Sequence, residues 1–219
     1  MPAPLPLYET IAARRDVRAE FTGDTVDEAV LARILEAGHR APSVGNTQPW
    51  DFVVIQDRAR LDAFAEHVAE RRDAFAAGLD AERRSVFDRI KIEGIRESGT
   101  GIAVTYDPDR GGAHVLGRHT VEDTGLFSAV LAIQNIWLAA TAEGLGLGWV
   151  SFYGEDFLAR FVGAKPPVRP IAWLCVGPVT HLHEVPDLER HGWRSRRPLS
   201  SAIHRDRLGN NGDQPASSL

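Results

Sequence analysis

The run from about residue 122 to 143 carries Leu126, Phe127, Ala129, Val130, Leu131, Ile133, Ile136, Trp137 and Leu138 with little polar interruption. At helical spacing these side chains point nearly all round the axis. Such a helix is stable only where other elements cover it on several sides. It must therefore be central, and any face left over can serve a contact between subunits. The segments available to cover it differ in type. Residues 51–56, 102–105, 147–152 and 170–176 are apolar runs of strand length, whereas 6–14 reads as a short helix. A second helix is predicted from Thr25, where Thr25-Val26-Asp27-Glu28 has the capping-box pattern. Val30, Ile34 and Ala37 then recur on one face until Gly38 and Pro42 end it. Strands interleaved with helices predict a three-layer sandwich, α+β or α/β.

The segment from about 58 to 97 is helical by propensity, charged, and thin in large apolar residues, with a break at Gly78 and Asp80. It reads either as a lid, an arm on a partner, or a peripheral hairpin. After about residue 205 the composition is that of a disordered tail. Nothing between residues 1 and 205 reads as an interdomain linker, so one domain is expected.

At 219 residues, with 43% hydrophobic and 25% charged residues, the chain can build one substantial core. A net charge of −5 offers no bulk basic field for nucleic acid. Cys175 is the sole cysteine and lies in the apolar run 171–176. It reads as a buried small hydrophobe, and no internal disulfide can form. The N-terminus lacks a signal-peptide pattern, and no segment is expected to reach the ~20 apolar residues of a membrane span. A cytoplasmic location is expected. His181 and His183 alternate without acidic or cysteine neighbours at ligand spacing, so no metal is expected.

Two motifs carry the chemistry. Arg14-Arg15-Asp16-Val17-Arg18 gathers three guanidinium forks, which match phosphate bidentately, around one carboxylate. Pro42-Ser43-Val44-Gly45-Asn46-Thr47-Gln48-Pro49-Trp50 offers hydroxyl and amide groups that both donate and accept, as the edge of a flat heterocycle requires. Flavin mononucleotide (FMN) has both ends. Singly, the first motif is equally at home as solvated arginines at a helix end, and the second as an ordinary turn.

Further motifs follow in order: Lys91-Ile92-Glu93-Gly94-Ile95-Arg96, Asp107-x-x-Arg110-Gly111-Gly112, Val115-Leu116-Gly117-Arg118 and Gly146-Leu147-Gly148-Trp149-Val150-Ser151. With the first two they resemble BluB, the 5,6-dimethylbenzimidazole synthase branch of the nitroreductase-like flavoproteins, from about residue 7 to 200. The resemblance implies an α+β, nitroreductase-like three-layer sandwich. Its central mixed sheet is flanked by helices, and a helical lid spans about 65–100. It implies a homodimer with FMN at the subunit interface. It also implies that reduced FMN is substrate rather than recycled cofactor. With molecular oxygen it is fragmented to 5,6-dimethylbenzimidazole, the lower ligand of cobalamin, and erythrose 4-phosphate, a separate reductase supplying the reduced flavin.

By the same resemblance Asp16 takes the place of the catalytic aspartate, as base toward the first ribityl carbon, and Ser151 that of the second catalytic residue. Arg14, Arg15, Val17, Arg18, Pro42, Ser43, Asn46, Gln48, Gly148, Trp149, Arg194 and Arg196 would complete the flavin site. Two positions depart from the synthase pattern. Asn46 and Thr47 stand where bulky apolar residues are expected, and Gly125 stands where an acidic residue is expected. An Asn before x-Gln-Pro-Trp is the arrangement of nitroreductases. The alternative reading is therefore an FMN-dependent NAD(P)H nitroreductase or flavin reductase that recycles its flavin.

Overall fold

The computed structural model describes residues 6–210. Strands β1 (Trp50–Ile55), β2 (Thr100–Tyr106), β3 (Leu145–Val150) and β4 (Arg169–Pro178) form one sheet in the order β1-β2-β4-β3. Each neighbouring pair is antiparallel, where a mixed sheet was expected. The reason is visible in the register. Ile55 lies opposite Gly101, so the whole excursion between β1 and β2 returns the chain to the end of the sheet it left. The connection from β3 to β4 does the same, with Val150 opposite Trp173. One isolated parallel bridge, Asp16 to Leu147, supplies the only mixed character among the described residues.

Side chains alternate across a strand, and here they feed two cores. On one face Ile102, Val104, Ala172, Leu174 and Val176 meet α2 (Glu28–His39) and α6 (Thr124–Ala142), through Leu31, Ile34, Ala129, Ile133, Ile136 and Ala140. On the other, Ala103, Trp173, Cys175 and Val150 meet α3 (Arg58–Ala77), α5 (Ile95–Ser98) and α7 (Glu155–Val162), through Leu61, Phe64, Val68, Ile95 and Leu158. The expected three layers are present. Burial pushes the Cys175 thiol up to about 12, which keeps it an inert core residue.

Three local expectations change. The cap of α2 is Asp27, whose carboxylate accepts from the amides of Ala29 and Val30, rather than Thr25. A carboxylate at the position just before the helix outcompetes the hydroxyl two residues earlier. The covering excursion begins later than residue 65. Phe64, Ala65 and Val68 are core, so the first half of α3 belongs to the sandwich. What leaves the core is the end of α3, α4 (Ala81–Phe87) and the chain to Gly94. At the C-terminus, residues 206–210 form a turn in which Arg205 N–H donates to Asn210 O at 2.6 Å. The rest of the expected tail lies outside the described residues.

Helix α6 is long and apolar enough to cross a membrane by composition, contrary to the expectation that no segment would be, yet half of that stretch is packed inside the protein. Its coverage is incomplete. Ile133 and Ile136 are wholly buried, whereas Phe127, Val130 and Leu131 remain exposed beside Leu7, Tyr8 and Ile11 of α1 (Leu7–Ala13) as large apolar surface.

Candidate active site

The arginine motif follows α1 directly and runs beside the free edge of β3. Val17 N–H donates to Leu147 O at 2.9 Å, and Trp149 N–H donates to Asp16 Oδ1 at 3.0 Å. The approach is close enough that a Cβ on Gly148 would lie 2.1 Å from the Val17 carbonyl oxygen. Only glycine lets the motif dock there. Val17 itself turns its side chain into the second core, so its part in the site is to anchor the backbone between Asp16 and Arg18.

Three adjoining cavities share these residues. A cleft of about 350 Å³ is lined by Arg14, Arg15, Asp16, Arg18, Leu188, Arg194 and Arg196. An apolar chamber of about 310 Å³ is lined by Arg18, Phe75, Phe87, Ile92, Trp149, Ser151, Phe152, Leu188 and Trp193. A third hollow, reached past Asp16 and Arg18, is edged by Lys91, His183 and Asp187. The first is cationic, the second aromatic, and Arg18 lines both. Asp16 stands beside it, with its Oδ2 accepting from Arg18 Nη2 at 2.5 Å.

Burial pushes the Asp16 carboxyl above its ordinary range, and Asp187 adds to the rise. Arg18, the Trp149 amide and Arg14 oppose it without reversing it. Burial likewise lowers Arg14, and Arg15 and Arg196 lower it further, while Asp16 opposes. Guanidinium groups crowded this way leave an excess of donors. Arg14 stacks 4.7 Å over the Trp137 ring. Arg15 donates to the carbonyls of Ala12, Arg14 and Glu184, but its Nε is buried without a hydrogen-bond partner. Arg194 and Arg196 reach the same cleft from the exposed loop after α8 (Asp187–Arg190). Ser151 is exposed at the chamber, one residue past the end of β3.

Pro42, Ser43, Asn46 and Gln48 are not among the linings of these cavities. They form a closed loop on the α6 side of the sheet. Ser128 Oγ accepts from Val44 N–H, and Asn46 Oδ1 accepts from Gln48 Nε2 at 2.6 Å. Asn46 has φ of 55°, the left-handed region that asparagine tolerates better than most residues. Its identity thus has a backbone cause. So has Gly125, where a Cβ would lie 2.6 Å from the Tyr106 hydroxyl.

Several contributors were not singled out from the sequence. Phe75, Phe87, Phe152 and Trp193 form an aromatic cluster over the chamber. Ring centroids lie 5.2 Å apart for Phe75–Phe87, 5.4 Å for Phe75–Phe152 and 6.2 Å for Phe87–Trp193. Two arginines stack on it from outside, Arg72 over Phe87 and Arg83 over Trp193. Glu20 stands beside His183, supplying the acidic neighbour that sequence spacing did not show. Burial would raise the Glu20 carboxyl, but the amides of Arg18, Glu20 and Ala19, with His183, outweigh it and hold it low.

The chain belongs to the nitroreductase family, whose family description matches residues 11–178. Curated relatives that match more than four fifths of the chain include 5,6-dimethylbenzimidazole synthases. The one from Rhodospirillum rubrum is 40% identical over 185 residues, spanning 84% of this chain and 87% of the relative. One from Rhodobacter capsulatus is 36% identical over 193 residues, spanning 88% and 92%. Among solved structures, a BluB-like flavoprotein from Clostridium difficile 630 superposes with a TM-score of 0.69 at 20% identity. It covers 93% of this chain and all of that one (100%). Iodotyrosine deiodinase bound to FMN and 3-iodo-L-tyrosine gives 0.69 at 19% identity with the same coverage. At such identities the structures speak to the fold.

Proposed function

We propose that this protein is a 5,6-dimethylbenzimidazole synthase. It converts reduced FMN, with molecular oxygen, to 5,6-dimethylbenzimidazole and erythrose 4-phosphate. The observation that carries the reading is that Asp16 lines the cationic cleft while paired with Arg18, which lines both that cleft and the aromatic chamber. A phosphate in the cleft and a flat ring in the chamber put the joining sugar-alcohol arm beside that carboxylate. The residues fit the group: the cleft has more guanidinium donors than acceptors, including the buried, unpartnered Nε of Arg15.

In this reading Arg14, Arg15, Arg194 and Arg196 hold the phosphate, while Trp149, Phe75, Phe87 and Trp193 exclude water from the ring. The flavin supplies the electrons for oxygen and the carbon skeleton of the products. Asp16 takes the proton from the first ribityl carbon. Its raised pKa makes it a stronger base than an ordinary aspartate, and the Trp149 amide fixes which oxygen faces the arm. Ser151 lies at the ring end, placed to orient oxygen or steer a proton rather than to act as a covalent nucleophile. Residues 69–94 serve as the lid.

A homodimer is part of the proposal. The Pro42–Gln48 loop does not line its own chain's groove, and the apolar face of α6 and α1 is uncovered. Together these support a site completed by the loop of a second copy. Because both cores share one sheet, residues up to 205 are taken as a single FMN-binding domain. A cytoplasmic setting with a separate flavin reductase fits the requirement for reduced FMN.

The test is product analysis after aerobic incubation with chemically reduced FMN. Dimethylbenzimidazole from the wild type and none from Asp16→Asn supports the reading. Rapid NAD(P)H oxidation with FMN recovered intact would overturn it in favour of the nitroreductase or flavin reductase alternative.

A further inference from the structure

We propose that Glu20, His181 and His183 form a binding site for a divalent transition-metal ion of the zinc type, independent of the flavin reading. The three come together through backbone pairing. Phe21 bridges Val179 in antiparallel fashion, Thr22 N–H donates to Pro178 O at 3.0 Å, and Thr180 N–H donates to Glu20 O at 2.9 Å. Residues 178–180 therefore pair with 20–22, and the chain bends at Thr180 into 181–183. Past that bend His181 and His183 bring their imidazoles together on the side of Glu20.

One ligand atom from each residue can be chosen so that all three lie within 4.8 Å of one another. His183 Nε2 is already 3.1 Å from Glu20 Oε1, and the two imidazole centroids are 4.7 Å apart at an interplanar angle of 89°. Zinc–nitrogen and zinc–oxygen bonds of about 2.1 Å in tetrahedral geometry set ligand atoms about 3.4 Å apart. From a spread of 4.8 Å the set must tighten by about 1.4 Å, and exposed His181 has room to turn inward.

The surrounding groups are those that orient ligands. Glu20 Oε2 accepts from the Arg18 and Ala19 amides, at 3.3 and 3.1 Å, which leaves Oε1 facing His183 and the position of the ion. Thr180 Oγ1 lies 3.0 Å from His181 Nδ1, leaving Nε2 for a metal. Two imidazoles and one carboxylate make a mixed nitrogen–oxygen set with positions left for water. Zn²⁺, Co²⁺ and Ni²⁺ accept that set, and Mg²⁺ and Ca²⁺ do not prefer it. The ion would sit where His183 Nε2 and Glu20 Oε1 now face each other, and both atoms ligate only when free of a proton.

The experiment is calorimetric titration of untagged, flavin-free protein with Zn²⁺, repeated with Co²⁺ to read its visible absorption. One equivalent should bind, and Mg²⁺ should not compete. His183→Ala and Glu20→Gln should each weaken Zn²⁺ by about tenfold or more, the scale seen even for supporting residues of metal sites. His119→Ala should leave it unchanged. Because Glu20 also ties the Arg18 amide, its variant could lose structure. Exposed His181→Ala, checked for an unchanged melting temperature, gives the decisive comparison. No saturable Zn²⁺ binding by the wild type, or binding as tight as wild type by both His181→Ala and His183→Ala, would overturn the proposal and leave the cluster a plain imidazole–carboxylate pair. Neither result bears on whether reduced FMN is consumed.

Discussion

Replacing Gly148 with alanine should both destabilise the protein and loosen its hold on FMN. The added Cβ would lie 2.1 Å from the Val17 carbonyl oxygen, where a carbon needs about 3.5 Å. The motif must back away from β3 by more than an ångström. Two hydrogen bonds straddle the contact, Val17 N–H to Leu147 O and Trp149 N–H to Asp16 Oδ1, and both stretch together. Overpacking costs about 1–3 kcal/mol and each weakened bond about 0.5–1.5, so the loss sums to about 2–6 kcal/mol. In a domain of this size each kcal/mol shifts the melting temperature by roughly 2–4 °C, so the drop should be roughly 4–24 °C. Calorimetric melting reads the first effect, and quenching of flavin fluorescence on titration reads the second. Gly78→Ala is the matched control. Its φ is −87° and a Cβ would meet nothing nearer than Phe75 O at 3.5 Å. Alanine there should gain about 0.4–1 kcal/mol by restricting the unfolded chain. An unchanged melting temperature and FMN affinity in Gly148→Ala would refute the docking of residues 16–17 on β3.

Three further outcomes are expected. Since burial raises the Asp16 pKa, its ionised form is costly in the fold, and its stabilising contribution is present at acid pH and lost as pH rises through the folded value. Asp16→Asn should therefore melt no lower than wild type at neutral pH without flavin, and the wild-type activity should fall on acidification at a pH above the ordinary aspartate range. His67 Nε2 accepts from Gly154 N–H at 3.0 Å, and burial, with Arg71 and Arg160, lowers its pKa. Stability should decline as pH falls through the ordinary histidine range toward that lower value, and a melting profile against pH should lose this step in His67→Gln. Phe87→Ala should open the excursion over the chamber, at a cost up to the ~3–5 kcal/mol of a buried phenylalanine. Limited proteolysis between residues 69 and 94 should accelerate, and equal cleavage rates would count against a packed lid.

The four strands and both long helices could be read from the sequence because their signals are local. Apolar runs of strand length and the break at Gly78 and Asp80 need no tertiary knowledge. The charge cluster around Asp16 was visible for a similar reason, since three arginines stand within five residues, but the role expected of the aspartate came from the resemblance and not from that spacing. The polar loop at 42–48 was harder: its groups suit a flavin edge, but they lie on the α6 side of the sheet, and only three dimensions reveal that separation. Glu20 and His183 are 163 residues apart in sequence number and meet through strand-like pairing, which spacing rules do not see. The aromatic cluster of Phe75, Phe87, Phe152 and Trp193 draws on three distant segments and carries no periodic pattern. The apolar roundness of α6 was read correctly as a demand for burial, but which face a single chain leaves bare depends on where α2 and the sheet land.

The strand order has a consequence for how the molecule is made. β4 is the last strand to leave the ribosome, yet it lies between β2 and β3. β1 and β2 can zip together early, and residues 16–17 can already meet one edge of β3, whereas the other edge of β3 and one edge of β2 wait until residues 169–178 slot between them. Long-range pairing of this kind is slow, and unpaired edges invite the wrong neighbour. A chain stopped short of residue 169 therefore keeps β2 and β3 side by side only through α6, with the facing strand edges unpaired and open to the wrong neighbour.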